Sequence, residues 1–212
     1  FHRNLGLAHR EASGNLPRAA AALRKAVESA PRYPRPYLEL DAVLQALSAD
    51  PRDRLAVLDA TPPEVQRRGL VAAHQIAACL ECSEWDRAIS LLSSHTFHRW
   101  EAEFRMRALY VEAHLGRGGE CFDRGEPEAA REDFEAALDY PTNLRIGKPA
   151  QTEDARPRWC AGLACEALGE VAAARAHWEA AAGEDYRRHT HTGAVDLHIY
   201  RALSLARLGR AQ

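Results

Sequence analysis

Apolar residues recur along most of this chain at intervals of three and four positions, with charged residues between them. Side chains at this spacing share one face of an α-helix. Alanine and leucine dominate while β-branched residues are sparse, which also favours helices. We therefore predict about eleven helices, five consecutive pairs and one single helix, at residues 2–12 and 15–29, 35–47 and 51–60, 65–82 and 84–94, 102–124 and 126–139, 155–168 and 170–182, and 194–208.

Two stretches of the chain carry the same order of small and aromatic residues. The first has intervals of 7, 5, 4 and 3 residues between Gly118, Gly125, Ala130, Phe134 and Ala137. The second repeats those intervals between Gly162, Gly169, Ala174, Trp178 and Ala181. With one inserted residue, the N-terminal stretch follows the same order through Gly6, Gly14, Ala19, Leu23 and Ala26. In such a unit the small residues let two helices approach, the second glycine allows a tight turn, and the large residue fills the space between helices.

These spacings resemble the tetratricopeptide-repeat (TPR) consensus over nearly the whole chain. The resemblance implies an all-α fold, a right-handed superhelical solenoid of helix pairs that forms a single domain over residues 1–212. It also implies a binding groove lined by the first helix of each pair. Projected onto this chain, the groove candidates are Arg3, Arg10, Phe122, Trp159 and Glu166. Trp159 is equally well explained as a packing residue. The family's Lys/Asn clamp for acidic peptide termini is not found, which argues against a chaperone-tail function.

Long connections interrupt the repeat. A TPR unit has about 34 residues, whereas Ala130 follows Ala88 by 42 residues and Ala174 follows Ala130 by 44. The extra residues fall between units, near 93–101, 140–154 and 186–193, and such connections share one edge of a solenoid. They are rich in basic and aromatic residues, so we predict an edge site for an anionic or sugar-like ligand or for a neighbouring domain. The alternative is a set of polar, variable surface loops. The candidates are His95, His98, Trp100, Arg145 and Lys148.

Composition and charge argue against two classes of partner, nucleic acids and membranes. The net charge is −2 and the pI is about 6.6, with basic residues spread along the chain, so nucleic acid is not an expected partner. No apolar run approaches the roughly 18 residues that span a bilayer, so no membrane partner is expected. An odd number of cysteines on helices favours a reduced, cytoplasmic protein over a disulfide framework. The five are Cys79, Cys82, Cys121, Cys160 and Cys165. Cys79, Cys121 and Cys165 fall at the same repeat position, on the first helix of their units, so we expect these three to be small buried residues.

Two patterns suggest metal binding without establishing it. Cys79, Cys82, His95 and His98 nearly follow zinc-finger spacing, but the histidines are one residue too close and the cysteines end a predicted helix. The motif His189-Thr190-His191 has no third ligand nearby in the sequence. Phosphate-binding loops, nucleophile elbows and His-Glu-x-x-His motifs are absent from the sequence. We therefore expect no enzyme activity, no cofactor and no metal.

A narrower resemblance concerns the segments "FHRNLGLA", "FHRWE" and "YPTNLRIGKP". They look like one group of large bacterial proteins that join an N-terminal mutarotase-like β-sandwich domain of unknown function to a C-terminal TPR array. Arg99 departs from that group's "FHPWE". The resemblance implies that this chain is the C-terminal array of a longer protein. The leading hypothesis is a non-catalytic scaffold for a protein or peptide. The alternatives are an accessory module of a carbohydrate-active enzyme, in contact with its own N-terminal domains, and a homodimer formed through the unpaired terminal helix.

Overall fold

The computed structural model describes residues 1–98, 106–149, 152–184 and 194–210. These residues form twelve α-helices, one short 3-10 helix at Thr142–Leu144, and no β-strand. The α-helices are α1 His2–Glu11, α2 Leu16–Ser29, α3 Arg35–Ala46, α4 Pro51–Asp59, α5 Pro63–Gln66, α6 Gly69–Glu81, α7 Trp85–Ser94, α8 Met106–Asp123, α9 Pro127–Ala136, α10 Ala155–Ala167, α11 Val171–Gly183 and α12 Ala194–Arg207.

The helix boundaries follow the sequence-based prediction closely, with one difference. The helix expected at 65–82 is divided into the single turn α5 and the longer α6. Pro63 begins α5, where its fixed φ and missing N–H are tolerated. Arg68 then has an extended backbone, with ψ of 127°, so the chain leaves the helical path before α6 begins. Of the helix expected at 102–124, the first residues lie outside the described ranges.

Contacts between residues divide the chain into two compact units. The first unit comprises residues 1–109 together with 143–145, and the second comprises residues 110–142 and 146–212. In the first unit α1 packs on α2, α3 on α4 and α6 on α7, and each of these pairs also contacts the next. In the second unit α10 packs on both α9 and α11, while α12 packs on α10 and α11. Both units are therefore built from consecutive helical hairpins.

Small residues on the first helix of a hairpin lie directly against a large side chain of the second helix. A Cβ atom added to Gly6 would lie 2.7 Å from Leu23 Cγ, and one added to Gly118 would lie 2.6 Å from Phe134 Cε1. Gly162 faces the Trp178 indole in the same way. Interiors are packed to crystal-like density, so no methyl group fits at these contacts without movement. The predicted reason for the small residue is confirmed in three hairpins.

The turn within each hairpin uses one residue with a left-handed backbone. Gly125 and Gly169 have φ of 78° and 77°, which glycine adopts without a steric cost. Ser48 and Ser83, with φ of 54° and 59°, take this position in the α3–α4 and α6–α7 hairpins. Ser48 follows Gly14 by 34 residues and Ser83 follows Ser48 by 35. These two hairpins are therefore units of ordinary TPR length whose turn residue is not glycine.

The cores of the two units are made mainly of alanine and leucine, with cysteine among the small residues. Cys79, Cys121 and Cys165 are buried, as expected from their shared repeat position, while Cys82 and Cys160 are partly exposed. All five are free thiols. No helix within the described ranges combines the length and the apolar character that crossing a lipid bilayer requires.

Candidate functional site

The first helices of three consecutive hairpins in the first unit line one groove, which we call the first-helix groove. Its volume is about 540 Å³, within the range of about 300–1,000 Å³ typical of ligand sites. α1, the start of α3 and the start of α6 supply its walls, because the side chains three and four positions apart on each helix share one face. The lining residues are Arg10, Pro34, Arg35, Leu38, Glu39, Ala42, Arg68, Leu70, Val71 and His74.

The first-helix groove combines an apolar floor with a cationic rim. Leu38 and Val71 are buried and form part of the floor. Arg35 and Arg68 are exposed, and neither forms an ion pair with any residue that the structure describes. The one acidic residue of the lining, Glu39, accepts a hydrogen bond of 2.8 Å from Arg3 Nε, which offsets its charge. The rim therefore carries a net positive charge in a chain whose total charge is −2.

A buried ion-pair network fixes the floor of the groove at His74. His74 Nδ1 lies 2.6 Å from Asp41 Oδ2, and Arg54 Nε donates to Asp41 Oδ1 at 2.8 Å. Arg54 Nη1 also donates to Glu81 Oε2 at 2.6 Å. Burial opposes ionisation of Asp41, but the hydrogen bonds from His74 and Arg54 outweigh it and lower the Asp41 pKa below its ordinary value. Because ionised Asp41 can only accept, Nδ1 of His74 carries a proton.

The groove candidates from the sequence fall in both units. Arg3 and Arg10 belong to α1 of the first unit, where Arg10 lines the first-helix groove and Arg3 supports it through Glu39. In the second unit Phe122 is partly buried against the core around Phe134. The structure thus brings Arg3 and Arg10 to the first-helix groove. Phe122 is mainly a packing residue of the second unit.

Trp159 and Glu166, the remaining groove candidates, are connected by Arg207 of α12. Trp159 packs against Trp178, with ring centroids 5.9 Å apart, and Arg207 lies over both rings at 6.0 and 5.6 Å. Arg207 Nη1 also donates to Glu166 Oε1 at 3.0 Å. This arrangement supports the packing alternative for Trp159, since its ring is covered by neighbours of its own unit.

Two of the long connections meet in the first unit. Asn143 Nδ2 donates to the carbonyl oxygens of Leu92 at 2.7 Å and His95 at 2.8 Å. The backbone N–H of Phe97 in turn donates to the Asn143 carbonyl oxygen at 2.9 Å. Phe97 and Leu144 are buried beside these bonds. Residues 93–98 and 143–145 are therefore neighbours, and the predicted connection at 186–193 lies outside the described residues.

The edge candidates themselves occupy different surroundings. His95 is partly buried, and its Nδ1 lies 3.0 Å from the Leu91 carbonyl oxygen. His98 and Arg145 are exposed, and Arg145 has a left-handed φ of 56°. Lys148 is exposed, with its Nζ 5.6 Å from the centre of the Tyr140 ring. Trp100 lies outside the described residues.

His95 also lines a second pocket of the first unit, of about 510 Å³. Asp59 lines it and accepts hydrogen bonds from Gln75 at 3.0 Å and from Arg87. Arg67 adds another positive charge, and Leu91 adds an apolar side chain. Asp59, Gln75 and Arg87 in this second pocket are therefore bound to one another.

The zinc-finger-like spacing does not correspond to a ligand cluster. Cys79 is buried in α6, and burial raises the pKa of its thiol to about 12. His95 begins the connection after α7 and contacts Leu91 and Ser94. Within the described ranges, Cys79, Cys82, His95 and His98 do not gather into a group of three or more metal ligands.

Comparison with known proteins gives a fold but no family. No family model matches the chain. It is similar to two crystal structures of MamA, one at 19% identity over 80% of this chain and 88% of that chain, with a TM-score of 0.52. The other is 17% identical over 100% of this chain and 93% of that chain, with a TM-score of 0.53. Similarity at this level, added to the paired helices described above, establishes the fold class. The fold is TPR-like.

Within this TPR-like fold, sequence reasoning missed most of the first-helix groove. It found Arg10 but not Arg35, Arg68 or His74. In the α3–α4 hairpin Ser48 replaces the turn glycine, and without that landmark the groove positions of α3 were not assigned. Arg68 has an extended backbone just before α6, where the sequence predicts one continuous helix. A signal was present nonetheless, since Ser48 and Ser83 stand at TPR intervals after Gly14.

Proposed function

We propose that this chain is a non-catalytic binding module whose first-helix groove holds an extended protein segment with acidic side chains next to apolar ones. The observation that carries the proposal is the pairing of an apolar floor at Leu38 and Val71 with the rim arginines Arg35 and Arg68. A guanidinium group binds carboxylates with two parallel hydrogen bonds, so arginine favours acidic groups over neutral ones.

The buried network around Asp41 supports this use of the groove. It holds the His74 ring in one orientation at the floor, through a 2.6 Å contact to a carboxylate that is itself bound to Arg54. A preformed site loses less conformational entropy on binding than a site that must be ordered first. The groove therefore presents fixed walls to an incoming segment.

The experiment is a fluorescence anisotropy titration of the chain with two labelled peptides of equal length, one alternating Glu and Leu and the other Lys and Leu. We expect the acidic peptide to bind, and to bind more weakly at high salt. The double variant Arg35→Ala/Arg68→Ala is expected to lose about 5- to 30-fold in affinity, because exposed ion pairs contribute about 0.5–1 kcal/mol each.

A matched control is available on α2. Arg18 and Arg24 are exposed on that second helix, away from the groove lining, and Arg18→Ala/Arg24→Ala removes the same charge. This control should bind the acidic peptide as the parent does. Equal losses in the two double variants, or equal binding of the acidic and basic peptides, would contradict a specific acidic-segment groove.

An accessory role in a carbohydrate-active protein and self-association are two further proposals. An accessory role beside a carbohydrate-active domain would use the second pocket, where Arg67 and His95 would contact the ligand. Self-association would use α12, whose Ile199 and Leu203 are exposed. Light scattering over a range of concentrations tests self-association: a constant mass contradicts it.

A further inference from the structure

Three side chains from consecutive helices of the second unit place metal-binding atoms next to one another. They are Glu135 on α9, Cys165 on α10 and His177 on α11, and one ligand atom of each lies within 4.8 Å of the others. A carboxylate oxygen, a sulfur and an imidazole nitrogen are the three donor types found in protein zinc sites. We propose that these residues form a site for a zinc-type divalent ion, with water as the fourth ligand.

His177 provides an independent reason to place a ligand here. One ring nitrogen, Nδ1, is buried and has no hydrogen-bond partner among the residues that the structure describes, and the other, Nε2, lies 3.6 Å from Glu135 Oε1, longer than a hydrogen bond. Buried polar atoms are nearly always satisfied in proteins, and an exception calls for an explanation such as a bound ion or water.

The preceding hairpin also carries a buried polar residue at this repeat position. Asp133 stands eight residues after Gly125, as His177 stands eight residues after Gly169. Asp133 is satisfied by two partners, His114 Nδ1 at 2.8 Å and Arg117 Nε at 2.8 Å. The buried polar group at this repeat position is therefore satisfied in one hairpin, whereas in the next a ring nitrogen has no partner within the described part of the chain.

The charges around the cluster are compatible with a divalent cation. Glu135 and the Cys165 thiolate together would neutralise it. The nearby Arg131 is bound to Glu170 by hydrogen bonds of 2.7 and 2.8 Å, so its charge is already offset. Arg158 lies 3.9 Å from Glu184. Hard ions such as Mg²⁺ and Ca²⁺ prefer all-oxygen ligands, whereas sulfur and imidazole favour Zn²⁺ and Co²⁺.

Binding requires one chemical step and a small movement. The thiol proton of Cys165 leaves to solvent as the metal–sulfur bond forms, so affinity falls in acid. Ligand atoms of a tetrahedral zinc site lie about 3.3–3.8 Å apart, given zinc–ligand bonds of about 2.0–2.3 Å. Glu135 is half-exposed, with 48% of its side chain accessible, and can rotate to close the remaining distance.

The test is a titration of the untagged, chelator-treated chain with Co²⁺, followed by the thiolate-to-cobalt charge-transfer band in the near ultraviolet. We expect one equivalent to bind, with the band bleached by added Zn²⁺. Cys165→Ser should abolish the band, and Glu135→Gln should weaken Co²⁺ binding at least about tenfold, as even outer-shell changes do. Cys160→Ser, on the same helix but outside the cluster, should behave as the parent.

Glu135→Gln keeps the result decisive. It changes an exposed side chain, so it tests the site even where Cys165→Ser lowers the stability of the fold. The proposal is overturned when the parent shows no charge-transfer band, when the band survives in Cys165→Ser, or when Glu135→Gln binds Co²⁺ as tightly as the parent. None of these outcomes depends on the first-helix groove.

Discussion

The substitution Arg54→Met tests how the first-helix groove is held in place. Arg54 and its partner Asp41 are almost fully buried, with 2% and 3% of their side chains exposed. Arg54 spans two acidic groups, Asp41 and Glu81, through hydrogen bonds of 2.8 and 2.6 Å. Methionine has a similar length and shape without the charge. The substitution therefore leaves ionised Asp41 buried, with His74 as the principal partner of its carboxylate.

The expected cost follows from the environment of the carboxylate. Removing one partner of a buried ion pair costs about 3–5 kcal/mol, because the remaining charge has lost its compensation. His74 remains as a partner of Asp41, so we expect a cost just below that range, about 2–3 kcal/mol. Replacing both partners, as in Arg54→Met/Asp41→Leu, leaves no charge of the pair buried. The double variant should therefore be more stable than Arg54→Met alone.

Urea unfolding followed by circular dichroism measures this difference, and hydrogen exchange localises it to α3 and α4. The control is Arg175→Met on α11, where the arginine forms an exposed pair with Glu179 at 3.0 Å. Such pairs contribute about 0.3–0.5 kcal/mol. The reasoning fails when Arg54→Met unfolds at the same urea concentration as Arg175→Met. It also fails when the double variant is no more stable than the single one.

The same carboxylate predicts a pH dependence. Hydrogen bonds from His74 and Arg54 outweigh the effect of burial and depress the Asp41 pKa in the folded chain. A depressed pKa means that the ionised group stabilises the fold above the unfolded value of about 3.9. That contribution is lost as the pH falls through the lower folded value. The free energies of unfolding of the parent and of Arg54→Met/Asp41→Leu should therefore converge in acid, and a constant difference contradicts this origin.

Three further predictions concern the hairpins. Gly118→Ala should destabilise the fold by about 1–3 kcal/mol, because the added methyl group overpacks against Phe134. The adjacent Gly119 has open space around it, so Gly119→Ala should stabilise α8 by about 0.5–1 kcal/mol. Thermal unfolding compares the two variants, and equal shifts of their midpoints contradict the packing argument. Ser83→Gly should relieve the left-handed backbone at that turn and raise the unfolding midpoint; a lowered midpoint contradicts it. Asn143→Ala should cost about 1–3 kcal/mol, because two carbonyl oxygens lose their donor, and hydrogen exchange near the end of α7 would reveal it; unchanged exchange there is the contrary result.

The sequence predicted the helices well because their signals are local. The position of the small residue facing Phe134 and Trp178, and of the turn glycines, follows directly from spacing within one hairpin. Where Ser48 replaces the turn glycine, the helices were still found but the repeat register was not. The groove arginine Arg35 was missed for that reason, since a groove position is assigned through the register. Arg68 was missed because its extended backbone divides a segment that the sequence predicts as one helix.

Contacts between distant parts of the chain could not be read from spacing. Glu135, Cys165 and His177 stand on three different helices, and only the packing of those helices brings their ligand atoms together. The His74–Asp41–Arg54 network also joins three helices. By contrast, the zinc-finger-like run of cysteines and histidines is regular in sequence but dispersed in space.

The bonds made by Asn143 change the order in which the first unit can be completed. Arrays of helical hairpins usually rely on neighbouring units alone, so they can shorten or grow from their ends. Here the last turn of α7 and the segment beyond it receive hydrogen bonds from a residue about fifty positions later in the chain. During synthesis, the carbonyl groups of Leu92 and His95 form these hydrogen bonds only after the α8–α9 hairpin and Asn143 have been made. A protein cut after residue 109 would retain helices α1 to α7 and still lack the Asn143 hydrogen bonds that stabilise the end of α7.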